Sequence, residues 1–124
     1  MTKARSAWIA GFYEGEGSIS INRCGRYKKL AVQVVQCEHE CPEALLRIAK
    51  WTKLGTIYGP YLNNGSFKTK LPSKPKWIWT VTGERDVEIF VDQIWSWLSI
   101  RRQEQIESVL DNWADYRATL QYPK

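Results

Sequence analysis

The chain has 124 residues and a net charge of +5, a size that suits one compact domain, 1–124, whose core needs neither disulfides nor a structural metal. No run of about 18 apolar residues occurs, which excludes a membrane-spanning helix. The apolar run Ala7–Tyr13 stops at Glu14 with no small-residue cleavage pattern behind it, so neither a secretory signal peptide nor another targeting segment is expected.

In chain order, Arg5–Glu16 reads as a helix, with Trp8/Phe12 and Ile9/Tyr13 as i,i+4 pairs, ended by Gly17-Ser18. Ile19–Arg23 alternates apolar and polar, Cys24-Gly25-Arg26 is turn-like, and Lys28–Gln36 alternates again. In the second run Leu30, Val32 and Val34 share one side while Lys29, Ala31, Gln33 and Val35 share the other, so the two runs form a hairpin. The three cysteines, Cys24, Cys37 and Cys41, are an odd number with no sign of secretion. They read as reduced thiols in a cytoplasmic or organellar-matrix protein. Cys37-x-His39-x-Cys41 is spaced too tightly for a zinc motif and lacks a fourth ligand, so ordinary thiols are expected, and His39 has no catalytic role. Pro42 starts a second helix that runs to about Lys53 and is closed by Gly55. Thr56–Leu62 is a third strand, Asn63–Pro75 a loop, and Trp77–Thr82 a fourth strand. Asp86–Leu98 and Arg101–Leu120 are the last two helices. Trp8, Trp51, Trp77, Trp79, Trp95, Trp97 and Trp113 are assigned mostly to core and helix packing.

The order α-β-β-α-β-β-α-α describes an α+β domain: a four-stranded antiparallel sheet with helices on one face. The other sheet face is then open, and carries Ser20, Asn22, Lys29, Gln33, Tyr58, Ile78 and Thr80. Charge is concentrated in the same part of the chain. Residues 17–82 hold 11 Lys and Arg against 3 Asp and Glu, whereas the ends together are acidic. A polyanionic partner accounts for this asymmetry, and so does a solvated basic face.

Two features of the first helix break local rules. Ala7, Gly11 and Gly15 form a column of small residues, although glycine inside a helix costs about 1 kcal/mol relative to alanine. Close approach of another backbone offsets that cost, either from a second molecule or from this chain's own sheet. Glu14 and Glu16 sit at the helix C-terminus, where the macrodipole already disfavours acids by roughly 0.3–1 kcal/mol each. A hard divalent cation, which takes carboxylate, carbonyl and water oxygens, would relieve the clash.

Ile9-Ala10-Gly11-Phe12-Tyr13-Glu14-Gly15-Glu16-Gly17, followed by Ser18-Ile19, resembles the LAGLIDADG motif of homing endonucleases, with glutamate where the family name has aspartate. The order of elements extends the resemblance over about residues 5–112. One motif copy looks like the homodimeric subclass. The resemblance implies a saddle-shaped sheet, and a site-specific double-stranded DNA endonuclease that hydrolyses phosphodiester bonds at a long pseudopalindromic site. It implies Mg²⁺ as the cofactor, with Mn²⁺ an alternative and Ca²⁺ a non-catalytic substitute, and no small-molecule cofactor. Glu16 and Gly15 would bind the metal, Gln36 would orient water, and Arg101, with Arg102 as its neighbour and competitor, would face the phosphate. Ala7, Ala10, Gly11, Glu14 and Gly15 would line the dimer interface, Glu14 in a more structural role.

DNA contacts would come from the open-face residues together with Arg23, Arg26 and Lys28. Asn22 and Gln33 suit adenine edges, and Arg26 or Lys29 suit guanine. Lys68, Lys70, Lys74 and Lys76 suit phosphates. Tyr27, Tyr58 and Tyr61 could touch the groove, but core or hairpin packing is the favoured expectation for them. The alternatives are a non-cleaving nucleic-acid-binding protein of the same fold, such as a transcriptional regulator or RNA maturase, and a basic α+β protein with no nucleic-acid role.

Overall fold

A computed structural model describes residues 1–62 and 74–120, so the expected phosphate contacts Lys68 and Lys70 lie outside the described residues. Helix α1 spans Lys3–Glu16. It starts earlier than the apolar pairs indicate because the Thr2 hydroxyl accepts a hydrogen bond from the Arg5 amide at 3.2 Å. No turn follows it: strand β1, Gly17–Cys24, begins at the next residue. Gly17 is needed there, since a β-carbon would run into the Tyr13 ring. Strand β2 spans Tyr27–Cys37, and Gly25, at φ +61°, makes the turn between the two strands.

Helix α2 is Glu43–Thr52, strand β3 Thr56–Tyr61 and strand β4 Lys76–Thr82. Pro42 stands just before α2 as its cap residue, and Lys53 ends the helix in the left-handed region at φ 58°. Gly55, expected to close α2, has another task. It lies where a β-carbon would come within 2.7 Å of both the Trp79 indole nitrogen and the Thr80 carbonyl oxygen. Helix α3 is Glu84–Ile94, shorter than expected because Trp95–Trp97 tightens into a 3₁₀ turn. Helix α4 is Ile100–Leu120.

The four strands form one antiparallel sheet in the order β1-β2-β4-β3. Directly paired residues of an antiparallel sheet share a face. One face therefore carries Ile19, Leu30, Val32, Val34, Trp79 and Val81, all buried. They pack against Ile9 and Tyr13 of α1, Leu45 and Ile48 of α2, and Val87, Phe90 and Ile94 of α3. Phe90 lies between Tyr13 and Trp79, with ring centroids 6.1 and 5.1 Å away. Replacing such a ring by alanine costs about 3–5 kcal/mol. Helix α4 gives the core only Ile106 as a fully buried side chain. Six of the seven tryptophans pack in or against the core as expected, and Trp97 is the exception at 49 % exposed. No helix among the described residues is long and apolar enough to cross a membrane.

Candidate nucleic-acid interface and active site

Helix α1 points one face inward. Ser6, Ile9, Ala10 and Tyr13 are buried in this chain's own core. Ala10 is 0 % exposed, so it is not available to a second molecule and the interface expectation for it fails. The Ala7/Gly11/Gly15 column lies on a different face. Gly11 and Gly15 are exposed, and a β-carbon added at either would meet nothing within 4 Å. The column is thus not explained by close packing on the chain's own sheet.

The two acids at the end of α1 have separate fates. The Glu14 carboxylate accepts hydrogen bonds from the Ser99 amide and, at 3.1 Å, from the Ser99 hydroxyl. Ser99 is the residue before α4, and its hydroxyl in turn accepts from the Arg102 amide at 3.2 Å. Glu14, misplaced for its own helix, is therefore well placed for α4, whose N-terminus favours a negative charge. Arg102 completes the exchange by donating to the Glu14 carbonyl at 2.7 Å, which satisfies one orphan carbonyl of α1. Its guanidinium carbon stands 5.3 Å from the centre of the Tyr13 ring. The Glu14 carboxyl is held below the usual range, first by the Ser99 amide bond and further by the Ser99 hydroxyl, Arg102 and Arg101, against the upward push of desolvation. Burial pushes Tyr13 up to about 12, partly offset by Arg102.

Glu16 has no such engagement: it is exposed, and no side-chain hydrogen bond or ion pair uses it among the described residues. Gly15 is next to it, and no helical amide four residues on reaches the Gly15 carbonyl, because residue 19 is already in β1. Gly17 pairs with Val34, so Glu16 lies at the end of the sheet where β2 continues through Val35 to Gln36. Arg101 is exposed and close enough to the end of α1 to act on Glu14. Glu16 and Gln36 thus lie near the same end of the sheet and Arg101 near the end of α1, with Gln36, paired with Trp77, in the helix-side phase of Val34. Of the two arginines, Arg102 is committed to the α1–α4 junction.

The sheet face away from the core is arranged in cross-strand rows. Asn22 pairs with Lys29, and Ser20 with Ala31 and through it Thr82. Ser18, Gln33, Thr80 and Thr56 form the next row. Val35, Ile78 and Tyr58 follow, then Cys37, Lys76 and Tyr61. The expected open-face residues Ser20, Asn22, Lys29, Gln33, Tyr58, Ile78 and Thr80 all lie on this face, joined by Lys76, Ser18, Thr56 and Thr82. Strict alternation would have found those last three.

Arg23 and Lys28, both exposed, lie on the other side of the sheet. They pair with each other in the phase of Ile21 and Leu30, on the helix side of the sheet. The Lys28 amide donates to the Tyr116 hydroxyl at 2.9 Å, and its ammonium lies 5.3 Å from the Tyr116 ring centre. Arg26 is exposed in the hairpin turn. Lys74 is exposed but paired with Glu38 at 3.4 Å. The cysteines are free thiols, and the described residues contain no cluster of three or more His, Cys, Asp or Glu suited to a metal.

No family model matches the chain, and no curated protein matches it. Solved structures do. The homing endonuclease I-CvuI, in complex with its target in the presence of Ca, superposes with a TM-score of 0.69 at 20 % identity, over 94 % of this chain and 69 % of I-CvuI. The LAGLIDADG homing endonuclease I-GzeII, in complex with its DNA target, gives 0.66 at 17 % identity, over 94 % of this chain and 38 % of I-GzeII. The group I intron-encoded homing endonuclease I-CeuI, complexed with DNA, gives 0.59 at 17 % identity, over 89 % of this chain and 54 % of I-CeuI. The chain spans about half of I-CeuI and well under half of I-GzeII. It has the LAGLIDADG homing-endonuclease fold.

Proposed function

We propose that this chain is a site-specific double-stranded DNA endonuclease of the LAGLIDADG type, acting as a homodimer with a divalent metal ion. One observation carries the reading: α1 presents an open column of small residues whose last turn ends in the exposed, unengaged Glu16. The column suits a second copy of the same helix, because small residues let two backbones approach closely. The exposed apolar residues Trp97 and Ile100 flank Ser99 beside the same end of α1, at 49 % and 73 % exposure, and would widen that contact.

The donor set fits a hard cation. Glu16 offers a carboxylate and Gly15 a carbonyl, and the remaining positions would fall to water, to phosphate oxygens and to the second copy. Bound there, Mg²⁺ or Mn²⁺ supplies positive charge to the scissile phosphate and a more acidic water, with Ca²⁺ as a non-cleaving substitute. The Gln36 carboxamide both donates and accepts, which lets it hold a water in one orientation. Arg101 keeps its proton and faces the extra negative charge that develops on the phosphate. Two-fold symmetry places one Glu16 against each strand of a pseudopalindromic duplex. The polar open face of the sheet fits the major groove, which admits a two-stranded ribbon.

The test is selection from a randomised duplex library, followed by incubation of the selected duplex with the protein in Mg²⁺, Ca²⁺ or EDTA. Cutting of both strands in Mg²⁺ alone is expected. Binding without nicking in Mg²⁺ or Mn²⁺ would replace this reading by that of a non-cleaving DNA-binding protein. Absence of any salt-dependent binding would remove the nucleic-acid role altogether.

A further inference from the structure

On the groove-facing side of the sheet, one row differs from the others. Val35 of β2 pairs directly with Ile78 of β4, which pairs directly with Tyr58 of β3. These three side chains therefore stand side by side across three strands, and none of them belongs to the core on the helix side. The row beside it, Gln33, Thr80 and Thr56, is polar throughout, and the row on its other side carries Lys76. High strand propensity is reason enough for valine, isoleucine or tyrosine singly. It does not explain why all three fall in one row while the neighbouring rows are polar or charged.

The row also has a definite place along the sheet. It lies at the end where Gly17 pairs with Val34, next to Glu16 and Gln36. Lys29 and Asn22 lie at the opposite end, near the hairpin turn. Val35 and Lys29 are separated by six residues of one strand, about 20 Å at a rise of about 3.3 Å per residue. That is about six base pairs of duplex at about 3.4 Å each.

We propose that Val35, Ile78 and Tyr58 form an apolar strip that selects thymine, through its 5-methyl group, in the base pairs nearest the cleavage centre. This rests on the endonuclease reading above and adds the chemistry of the inner half-site to it. Thymine is the one base that presents a methyl group in the major groove, and an apolar side chain is its complement. Adenine through Gln33 comes next outward, and the Asn22–Lys29 pair reads the outer part of the half-site.

The test uses the full chain and the duplex that it selects from a randomised library. Each selected thymine is replaced singly by deoxyuridine, which deletes the methyl group and leaves every hydrogen bond in place. At an inner thymine the affinity is expected to fall about fourfold, the weight of one buried methyl-sized group. At outer thymines it should not change. Ile78→Ser and Val35→Ser remove the side-chain methyl groups and should lose the thymine–deoxyuridine difference while still binding the duplex. A selected site with no inner thymine, or an inner thymine that deoxyuridine replaces without loss, overturns the proposal and leaves the endonuclease reading standing. Failure to select any duplex overturns both.

Discussion

The Glu14 carboxylate, at the end of α1, accepts hydrogen bonds from both the amide and the hydroxyl of Ser99, the residue that precedes α4. Two helix termini of opposite polarity are thereby locked together, and Arg102 returns the bond to the Glu14 carbonyl. The junction commits Arg102, whereas Arg101 stays exposed near the end of α1, close enough to act on Glu14. Glu14→Ala is expected to cost about 1–2 kcal/mol, given an exposed but charge-assisted pair of bonds. Glu14→Gln, which keeps an acceptor, should cost less. The check is the urea midpoint of both variants. If the junction positions Arg101, both variants should also cut more slowly, with Gln intermediate.

The open glycine column gives a prediction with two opposed readouts. Gly11→Ala replaces glycine inside a helix and meets nothing within the chain. The isolated subunit should therefore gain up to about 1 kcal/mol. Gly11→Leu should fold as well but keep two copies of α1 apart. Sedimentation would show a dimer for the parent protein and a monomer for Gly11→Leu. A dimer retained by Gly11→Leu would place the self-contact elsewhere.

Tyr13 gives a pH dependence. Its hydroxyl is buried without a hydrogen-bond partner among the described residues, and its pKa is pushed up from 10.0 to about 12. The folded state thus holds the phenolic proton more tightly than the unfolded chain does. The stability this represents is complete below pH 10 and is lost as pH rises towards 12. At about pH 11 the loss is about 1.4 kcal/mol relative to neutral pH. Tyr13→Phe removes no bonded partner and should abolish this part of the alkaline destabilisation. Urea midpoints of the two proteins at about pH 8 and about pH 11 provide the comparison.

Adjacent lysines in β2 should behave differently. Lys29 pairs with Asn22 on the sheet face away from the core, whereas the Lys28 ammonium lies over the Tyr116 ring. Lys29→Ala should weaken duplex binding and reduce the slope of log affinity against log salt by about 0.9 if it meets one phosphate. Lys28→Ala should leave that slope unchanged and instead loosen the hairpin against α4. Equal effects of the two substitutions on the salt slope would mean that the register does not decide which lysine faces the duplex.

The strands were legible because period-two alternation in β2 separates Leu30, Val32 and Val34 from Lys29, Gln33 and Val35, and the register keeps that separation. The helix column was legible from a spacing of four. What escaped depends on residues distant in the chain. Glu14 looked as anomalous as Glu16 because its partner, Ser99, lies 85 positions later. Once the bonds to Ser99 are drawn, only Glu16 remains without a structural explanation. Arg23 and Lys28 are exposed cations at the hairpin end, and a one-residue phase difference puts them on the helix side of the sheet. Ala10 belongs to the inward stripe Ser6-Ile9-Ala10-Tyr13, which the motif string hides by placing it beside Gly11. Gly55 carries a turn residue's signature, but the approach of Trp79 requires it there, and Lys53 makes the left-handed cap.

On the proposed reading, Glu16 carries the chemistry and no structural load. Glu16→Gln tests it most directly, with strand cutting in Mg²⁺ and urea stability measured on the same preparation. Cutting is expected to be lost while duplex binding is kept. Stability should hold or rise by a few tenths of a kcal/mol, since an acid is removed from a helix C-terminus. Cutting that survives the substitution, or a protein that loses its fold with it, would contradict the claim.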